Sequence, residues 1–439
     1  MERGMISVDQ WSERSQAYFL THLHSDHTKG LSSQWSKGPL FCSPVTAKLF
    51  PVKFPEFDFS LLRVLEIGSS HLLSLVSPTT GSKTTVQVTA IDAHHCPGAS
   101  MYLFQGEFGC VLYTGDFRWE ATSERAKLGK DKLLNALGND KVDLLYIDNT
   151  YCNPFYSFPP REVAAQQVVD IIESHPEHDI IIGIDTLGKE DLLLHISRTL
   201  KTKIWVWPER LQTMHLLGLY DIFTTDTSLT RVRAVPRYSF SIDTLEGLNS
   251  MRSTIGIMPS GLPWVWRSLE ENADSPASFS ICHSAGSKGS TSDGLHVDRC
   301  QLNSKSSSAR RYHPYAYSVP YSDHSCFGEI EEFIKLVQPS KIRGIVSSSF
   351  SYTNPLYHFS HLCGVSQLPE QLGKKVQKEE ENARTVQTKS AIGCSEYRET
   401  KPKRDRTLKA GNLRVYRSRI SVLRRVRCGA KIVEMDNID

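Results

Sequence analysis

Thr21-His22-Leu23-His24-Ser25-Asp26-His27 sets four side chains of metal-ligating type within six positions. The apolar run Ala17-Tyr18-Phe19-Leu20 that leads into it reads as a short buried strand. His22 and His24 are two residues apart, so at a strand end both project to the same side. Asp26 and His27 are adjacent and converge on a second point only if the chain turns there. Thr28-Lys29-Gly30 supplies polar, flexible residues for such a turn. Imidazole and carboxylate together suit zinc or a similar borderline divalent ion, with Zn–N distances of about 2.0–2.1 Å. A lone histidine is usually an ordinary surface or core residue, but the density of H-x-H-x-D-H points to one loop that begins two metal sites.

Working outward, other strands end in the same residue types. Ile6-Ser7-Val8-Asp9-Gln10-Trp11 alternates like a strand, and Asp9 near its end is either a partner for a ligating imidazole or a surface carboxylate. The β-branched run Thr84–Asp92 is a strand that delivers Ala93-His94-His95-Cys96-Pro97-Gly98. His95, next to the turn, is the better ligand; His94 is an incidental neighbour and Cys96 a buried thiol. Met101–Phe104 and Cys110–Tyr113 read as a hairpin whose second strand runs into Thr114-Gly115-Asp116. Gly115 allows the Asp116 carboxylate a close approach to a neighbouring site, where it can bridge two metals. Asp143–Thr150 repeats the pattern, an apolar strand with Asp148 at its edge.

Composition bounds the rest. The chain has 439 residues, 23% charged and 39% apolar, which is ordinary for a soluble globular protein with room for two or three domains. A net charge of +3 confines any basic footprint to a local patch. Ten cysteines without a C-x-x-C pair fit a reducing compartment rather than a disulfide framework. No apolar run approaches the roughly 18 residues of a membrane span, so a soluble intracellular protein is expected, with no membrane partner.

Together, H-x-H-x-D-H, His95 in H-C-P-G and Asp116 in Y-T-G-D-F-R resemble the metallo-β-lactamase fold. Asp148 in L-Y-I-D-N-T-Y-C-N-P and Tyr321-Ser322-Asp323-His324-Ser325 resemble its β-CASP branch, which acts on nucleic acids. Finer matches, Leu187-Gly188-Lys189-Glu190 and Leu216–Phe223, look like the DNA cross-link-repair nucleases of the Artemis/Apollo branch, on its 5′-exonuclease side. The resemblance covers about residues 6–260 and 316–348.

It implies an α/β fold: an αββα sandwich of two packed sheets covered by helices, with an inserted α/β cap and a flexible basic C-terminal tail. The implied domains are 1–155 and a return segment 316–348 for the metallo-β-lactamase part, 156–315 for the cap, and 349–439 for the tail. His22, His24 and His95 would hold a first metal, and Asp26, His27 and His324 a second, with Asp116 bridging. Asp9 and Asp148 would orient ligands, and Asp26 would also accept a hydrogen bond from the attacking water. The ions would be two zinc ions, or manganese or iron. The implied activity is 5′-to-3′ exonucleolytic hydrolysis of DNA, single-stranded or 5′-phosphorylated at its ends. Its setting would be interstrand cross-link repair, end processing and telomere maintenance in the nucleus. A structure-selective endonuclease, an RNA-processing enzyme and a non-catalytic repair scaffold are the alternatives.

One departure stands out. Where relatives carry a histidine in an I-H-A-like motif, this chain has Val232-Arg233-Ala234-Val235. Arg233 cannot ligate a metal but can hold a phosphate bidentately. Arg161–His175 shows a helical stripe of Val163, Val168, Ile171 and Ile172, followed by the strand Ile180–Ile184. Lys189 then opens a helix in an arrangement suited to a phosphate, though by composition alone it is a solvated charge. Ile204–Trp207 is a further strand, and the alternation suggests a parallel-rich cap sheet. Residues 51–70 read as connecting structure, and Ser/Gly-rich 270–311 as a disordered loop with Arg310 and Arg311 as its exit. Ser322 is placed to contact phosphate. The stretch 401–431 holds twelve Lys/Arg against Asp405, and Lys401-Pro402-Lys403-Arg404 resembles a nuclear-localisation patch or a phosphate-binding arm; the tail could also recruit repair proteins.

Overall fold

The computed structural model describes residues 4–261 (except 13 and 79), 308–347 and 353–364, with the backbone of 430–432. The chain opens with β1 (Gly4–Val8), β2 (Ser15–Phe19) and β3 (Leu40–Cys42). Helix α1 (Pro44–Lys53) follows; its Ser43 cap accepts the Thr46 amide at 3.2 Å, and Pro44 sits where no amide is needed. Next come β4 (Leu62–Val64), β5 (Ser70–Val76) and β6 (Lys83–Asp92). The hairpin β7 (Ser100–Gly106) and β8 (Gly109–Tyr113) leads to α2 (Glu124–Leu137) and β9 (Leu144–Ile147).

From residue 161 the pattern alternates: α3 (Arg161–Glu173), β10 (Asp179–Ile184), α4 (Glu190–Leu200), β11 (Ile204–Trp205), α5 (Pro208–Leu216), β12 (Phe223–Thr224). Then come β13 (Val232–Pro236), α6 (Ile242–Asn249) and β14 (Thr254–Pro259). The chain closes with β15 (Arg310–His313), β16 (Ala316–Val319), α7 (Phe327–Val337), β17 (Lys341–Gly344), α8 (Pro355–Phe359) and β18 (Ala430–Ile432).

Three sheets result, ordered β18-β1-β2-β3-β4, β17-β9-β8-β7-β6-β5 and β12-β11-β13-β10-β14-β16-β15. The first two pack face to face. Strand alternation decides which side chains lie between them: Ile6, Phe19, Val88, Tyr102, Phe104, Val111 and Tyr146 form the inner layer. Their neighbours along the same strands, Tyr18, Leu103, Leu112 and Leu145, point outward and are covered by Phe50 of α1, Leu133 of α2 and Phe333 of α7. This is the expected αββα sandwich. The third sheet is parallel except for β15 on β16, as a cap of alternating strands and helices requires.

Several expectations are revised. The buried stripe of α3 is Ala164, Ala165, Val168, Val169, Ile171 and Ile172, whereas Val163 faces solvent. The strand expected over Ile204–Trp207 stops at Trp205, because Pro208 starts α5. Residues 51–70 include β4, an edge strand. Arg310 and Arg311 lie in β15 rather than in a loop, and β16 belongs to the cap sheet, so the chain leaves the cap after Val319 and not at 316. Beyond 349, α8 packs Phe359 into the main core, and Ala430–Ile432 pairs antiparallel with β1. The rest of the Ser/Gly-rich loop (270–307) and of the tail (349–352, 365–429 and 433–439) lies outside the described residues.

Candidate metal centre

Every residue expected at the centre follows the C-terminal end of a strand. Asp9 follows β1, the Thr21–His27 loop follows β2, His95 follows β6, Asp116 follows β8, Asp148 follows β9 and His324 follows β16. The cap sheet turns its own C-terminal edge toward the same point, since His24 Nε2 lies 2.9 Å from the carbonyl of Leu187, just after β10. The opposed carboxyl ends of parallel strands make a cleft, the usual place for a ligand in open α/β sheets.

The Asp116 carboxylate lies 3.8 Å from His22 Nε2, 3.4 Å from His27 Nε2, 3.7 Å from His95 Nε2 and 4.0 Å from His324 Nδ1. It is 2% exposed. Gly115 makes this approach feasible: its φ is +56°, and a Cβ there would come within 2.8 Å of Thr21. Ligand-grade atoms gather into three overlapping groups among the described residues: His22, His24, His95 and Cys96; His22, His27 and Asp116; His95, Asp116 and His324.

The second nitrogen of each imidazole fixes which one can bind a cation. Thr21 Oγ1 donates to Asp9 Oδ2 at 2.7 Å, so it accepts from His22 Nδ1 at 2.9 Å. The Leu187 carbonyl accepts a hydrogen bond from His24 Nε2, and the Asp323 carbonyl accepts one from His95 Nδ1 at 2.8 Å. His22 Nε2, His24 Nδ1 and His95 Nε2 are then bare lone pairs, yet neighbouring pairs of them stand only 3.0 and 3.1 Å apart. Three lone pairs so close repel unless a cation sits among them, and the donor set therefore fits a metal ion. Asp9 holds His27 Nδ1 at 2.6 Å and Asp148 holds His324 Nδ1 at 2.7 Å, which leaves Nε2 as the lone-pair atom of each ring.

Burial, reinforced by the neighbouring imidazoles, pushes His22 well below the ordinary imidazole value and His95 down to about 3; burial also lowers His24. All three are neutral at pH 7, as ligands must be. In the unfolded chain they take up protons near pH 6.5, and in the fold only at lower pH. The stability present above pH 6.5 is therefore lost progressively as pH falls from about 6.5 toward 3. The metal-free protein is expected to melt lower at pH 5 than at pH 7, by calorimetry, whereas an equal midpoint at both would contradict the burial of three neutral imidazoles.

Not every expected residue converges. Asp26 is exposed and belongs to none of the three groups; it stands on the open side of the centre, where its charge acts on His24 and Lys53. Lys189 is buried rather than solvated, with Nζ 2.9 Å from Asp323 and 3.3 Å from Asp185. Burial opposes its charge, but Asp323 and Asp185 outweigh this and hold its pKa above the ordinary lysine range. Ser322 is buried, and its hydroxyl closes a turn on the His324 amide and carbonyl. Arg233 lies elsewhere: its guanidinium is 3.3 Å from Asp179, at the far end of β10. At about 3.3 Å per residue, the strand sets it well over 10 Å from the Asp185 end.

Four contributors escaped the sequence reading: the Thr21 hydroxyl, the carbonyls of Leu187 and Asp323, and Arg118. Buried Arg118 reaches Glu329 at 3.0 Å and the Ser322 carbonyl at 2.9 Å. Thr21 and Arg118 stand inside the two quoted motifs, so motif membership was the one available signal.

Residues 219–349 match the family described as DNA repair metallo-beta-lactamase. The chain is 37% identical over 355 residues to "5′ exonuclease Apollo" of Danio rerio, covering 80% of this chain and 52% of that protein. It is 36% identical over 353 residues to the protein of the same name from Gallus gallus, covering 80% and 63%. To the "DNA cross-link repair protein SNM1" of Arabidopsis thaliana it is 31% identical over 335 residues, covering 74% and 60%. The chain thus spans between 52% and 63% of these relatives' lengths. With the sandwich, the cap and the His/Asp centre in place, these similarities assign the chain to the DNA-repair metallo-β-lactamase family, in its Artemis/Apollo β-CASP branch.

Proposed function

We propose that this chain is a metal-dependent nuclease that shortens DNA from its 5′ ends. The observation that carries the reading is one buried carboxylate, Asp116, within 3.4–4.0 Å of four histidines, at the floor of a cleft. The names of its relatives, 5′ exonuclease and cross-link repair protein, supply the substrate class.

Two divalent ions, zinc first with manganese or iron as alternatives, would supply charge to a phosphodiester and a water activated at neutral pH. His22, His24 and His95 would hold one ion and His27 and His324 the other, with Asp116 between. Asp9 and Asp148 keep His27 and His324 in the ligating tautomer. Asp26, on the open side, would complete the second set and accept the proton of the attacking water. The water oxygen adds to phosphorus, a P–O bond breaks and the departing oxygen takes up a proton. Lys189 and Ser322, joined to the centre through Asp323 and His324, are the candidates for a terminal phosphate. Such a phosphate would compete with Asp185 for the ammonium. A DNA-repair role would put the protein in the nucleus, with Lys401–Arg404 as its address and the tail as the surface for repair partners.

A denaturing-gel time course on 3′-labelled single-stranded DNA, bearing a 5′-phosphate or a 5′-hydroxyl, tests this. Asp26→Asn is the control, because an exposed side chain can change without disturbing the core. A ladder shortening stepwise from the 5′-phosphate end, absent in the control, is expected. Internal cuts indifferent to the 5′ end would replace the reading with a structure-selective endonuclease, and no cleavage with zinc or manganese supplied would leave a scaffold.

A further inference from the structure

The two most exposed large apolar side chains among the described residues are Phe155, at 83%, and Tyr238, at 82%. Tyr238 stands on the cap and Phe155 on the sandwich, each just past the C-terminal end of a strand. Tyr238 follows β13, whose Pro236 is level with Ile184 of β10, so it lies beside the residues that reach His24. Phe155 lies on the loop after β9 that begins with Asp148.

The ground between them is continuous. Arg237, next to Tyr238, is 3.6 Å from Asp185 and 3.3 Å from the Ser260 hydroxyl. Beside Ser260, a Cβ on Gly261 would lie 2.6 Å from the Tyr151 hydroxyl and 3.0 Å from that of Ser322. The Tyr151 ring is 5.9 Å from His324 and 4.9 Å from Tyr156, the residue after Phe155. A path from Tyr238 to Phe155 therefore runs over the residues flanking the metal centre.

Both rings are presented on fixed backbone. The Asn153 side chain accepts the Phe155 amide at 3.0 Å, and Tyr151, Tyr156 and Phe158 pack ring on ring beneath the loop. Tyr238 sits in the single turn Arg237–Ser239, between Pro236 and the buried ring of Phe240. Aromatic rings have only two side-chain torsions and so lose little entropy when something flat stacks on them. Arg237, with a third of its side chain exposed, adds a cation beside one ring.

We infer that Phe155 and Tyr238 form a stacking ledge that grips the unpaired bases of single-stranded nucleic acid at the mouth of the cleft. The inference rests on the nuclease reading above and names the strand form it prefers. A duplex keeps its base faces covered, whereas a single strand offers them, and stacking of this kind tolerates any sequence.

The test is binding of the full, zinc-supplied chain to phosphorothioate-linked oligonucleotides that resist cleavage, followed by fluorescence anisotropy. One strand carries bases and its match is abasic. Phe155→Ala with Tyr238→Ala is expected to weaken the base-bearing strand by roughly 5- to 100-fold and to leave the abasic strand unchanged, while Tyr238→Phe binds like wild type. Equal losses on both strands, no loss on the base-bearing strand, or no binding of either by the wild type would overturn the ledge. Base-dependent binding without cleavage on the gel would retain the ledge and discard the nuclease; cleavage without base-dependent binding would do the reverse.

Discussion

Asp116→Asn is expected to lower the rate of DNA hydrolysis by about 10³-fold or more, the scale on which a group neutralising charge in a transition state acts. It is also expected to reduce the zinc retained after dialysis. Asp116 is the only carboxylate in any of the three ligand groups, and it belongs to two of them. The amide is nearly the same size but carries no charge, so the two proposed ion positions would lose their shared anion. The change should leave the fold nearly intact, because it keeps the shape of the side chain, and two of its neighbours, His22 and His95, are held by burial well below the ordinary imidazole range. Metal analysis, melting temperature and the rate on a 5′-phosphorylated strand separate the cases. Loss of activity with a full complement of metal would move Asp116 from ligand to proton acceptor, and retained activity would refute the bridge.

The comparison with Asp26 shows what a motif cannot convey. H-x-H-x-D-H lines up four side chains of ligand type, and spacing treats them alike. The turn at Thr28, whose amide and hydroxyl both bond the His24 carbonyl, buries His27 and leaves Asp26 in solvent. In the proposed reaction it would act from the open face, whereas Asp116 would act from below.

The ligand-bearing strand ends were legible because each is an apolar run broken by His or Asp, a pattern carried by local sequence. The supporting atoms were not. A carbonyl such as Leu187 O or Asp323 O exists at every position, and only the fold brings those two to His24 and His95. Lys189 was ambiguous for the same reason, since two carboxylates from 4 and 134 residues away decide that it is buried. Strand β5 gave little signal because one of its faces is in solvent, with Leu72 72% exposed at the sheet edge. Val163 failed because apolar periodicity alone does not say where a buried face ends when alanines complete it.

Arg118→Ala is expected to be the most destabilising single change, costing about 3–5 kcal/mol, the range for removing one partner of a buried ion pair. Its side chain is fully buried, and it ties three separate stretches together. Nε reaches Glu329 on α7, Nη1 the Ser322 carbonyl at 2.9 Å, and Nη2 the Pro159 carbonyl at 3.2 Å. Two further bonds run alongside, from the Trp119 amide to the Ser325 hydroxyl and from the Ser325 amide to the Phe117 carbonyl, each 2.8 Å. His324 rides on the strip between them, so the variant should also lose hydrolysis. Burial already raises the Glu329 carboxyl above its ordinary range, and Arg118 is the main influence opposing that rise. Without the arginine Glu329 is protonated more readily, and a protonated carboxyl is cheaper to bury. The stability gap between variant and wild type in urea unfolding should therefore narrow as pH falls from 8 to 5. Arg118→Lys, which keeps the charge but not the fork, should fall between the two. A gap that stays constant with pH would mean that the carbonyl bonds, and not the Glu329 pair, are what Arg118 contributes.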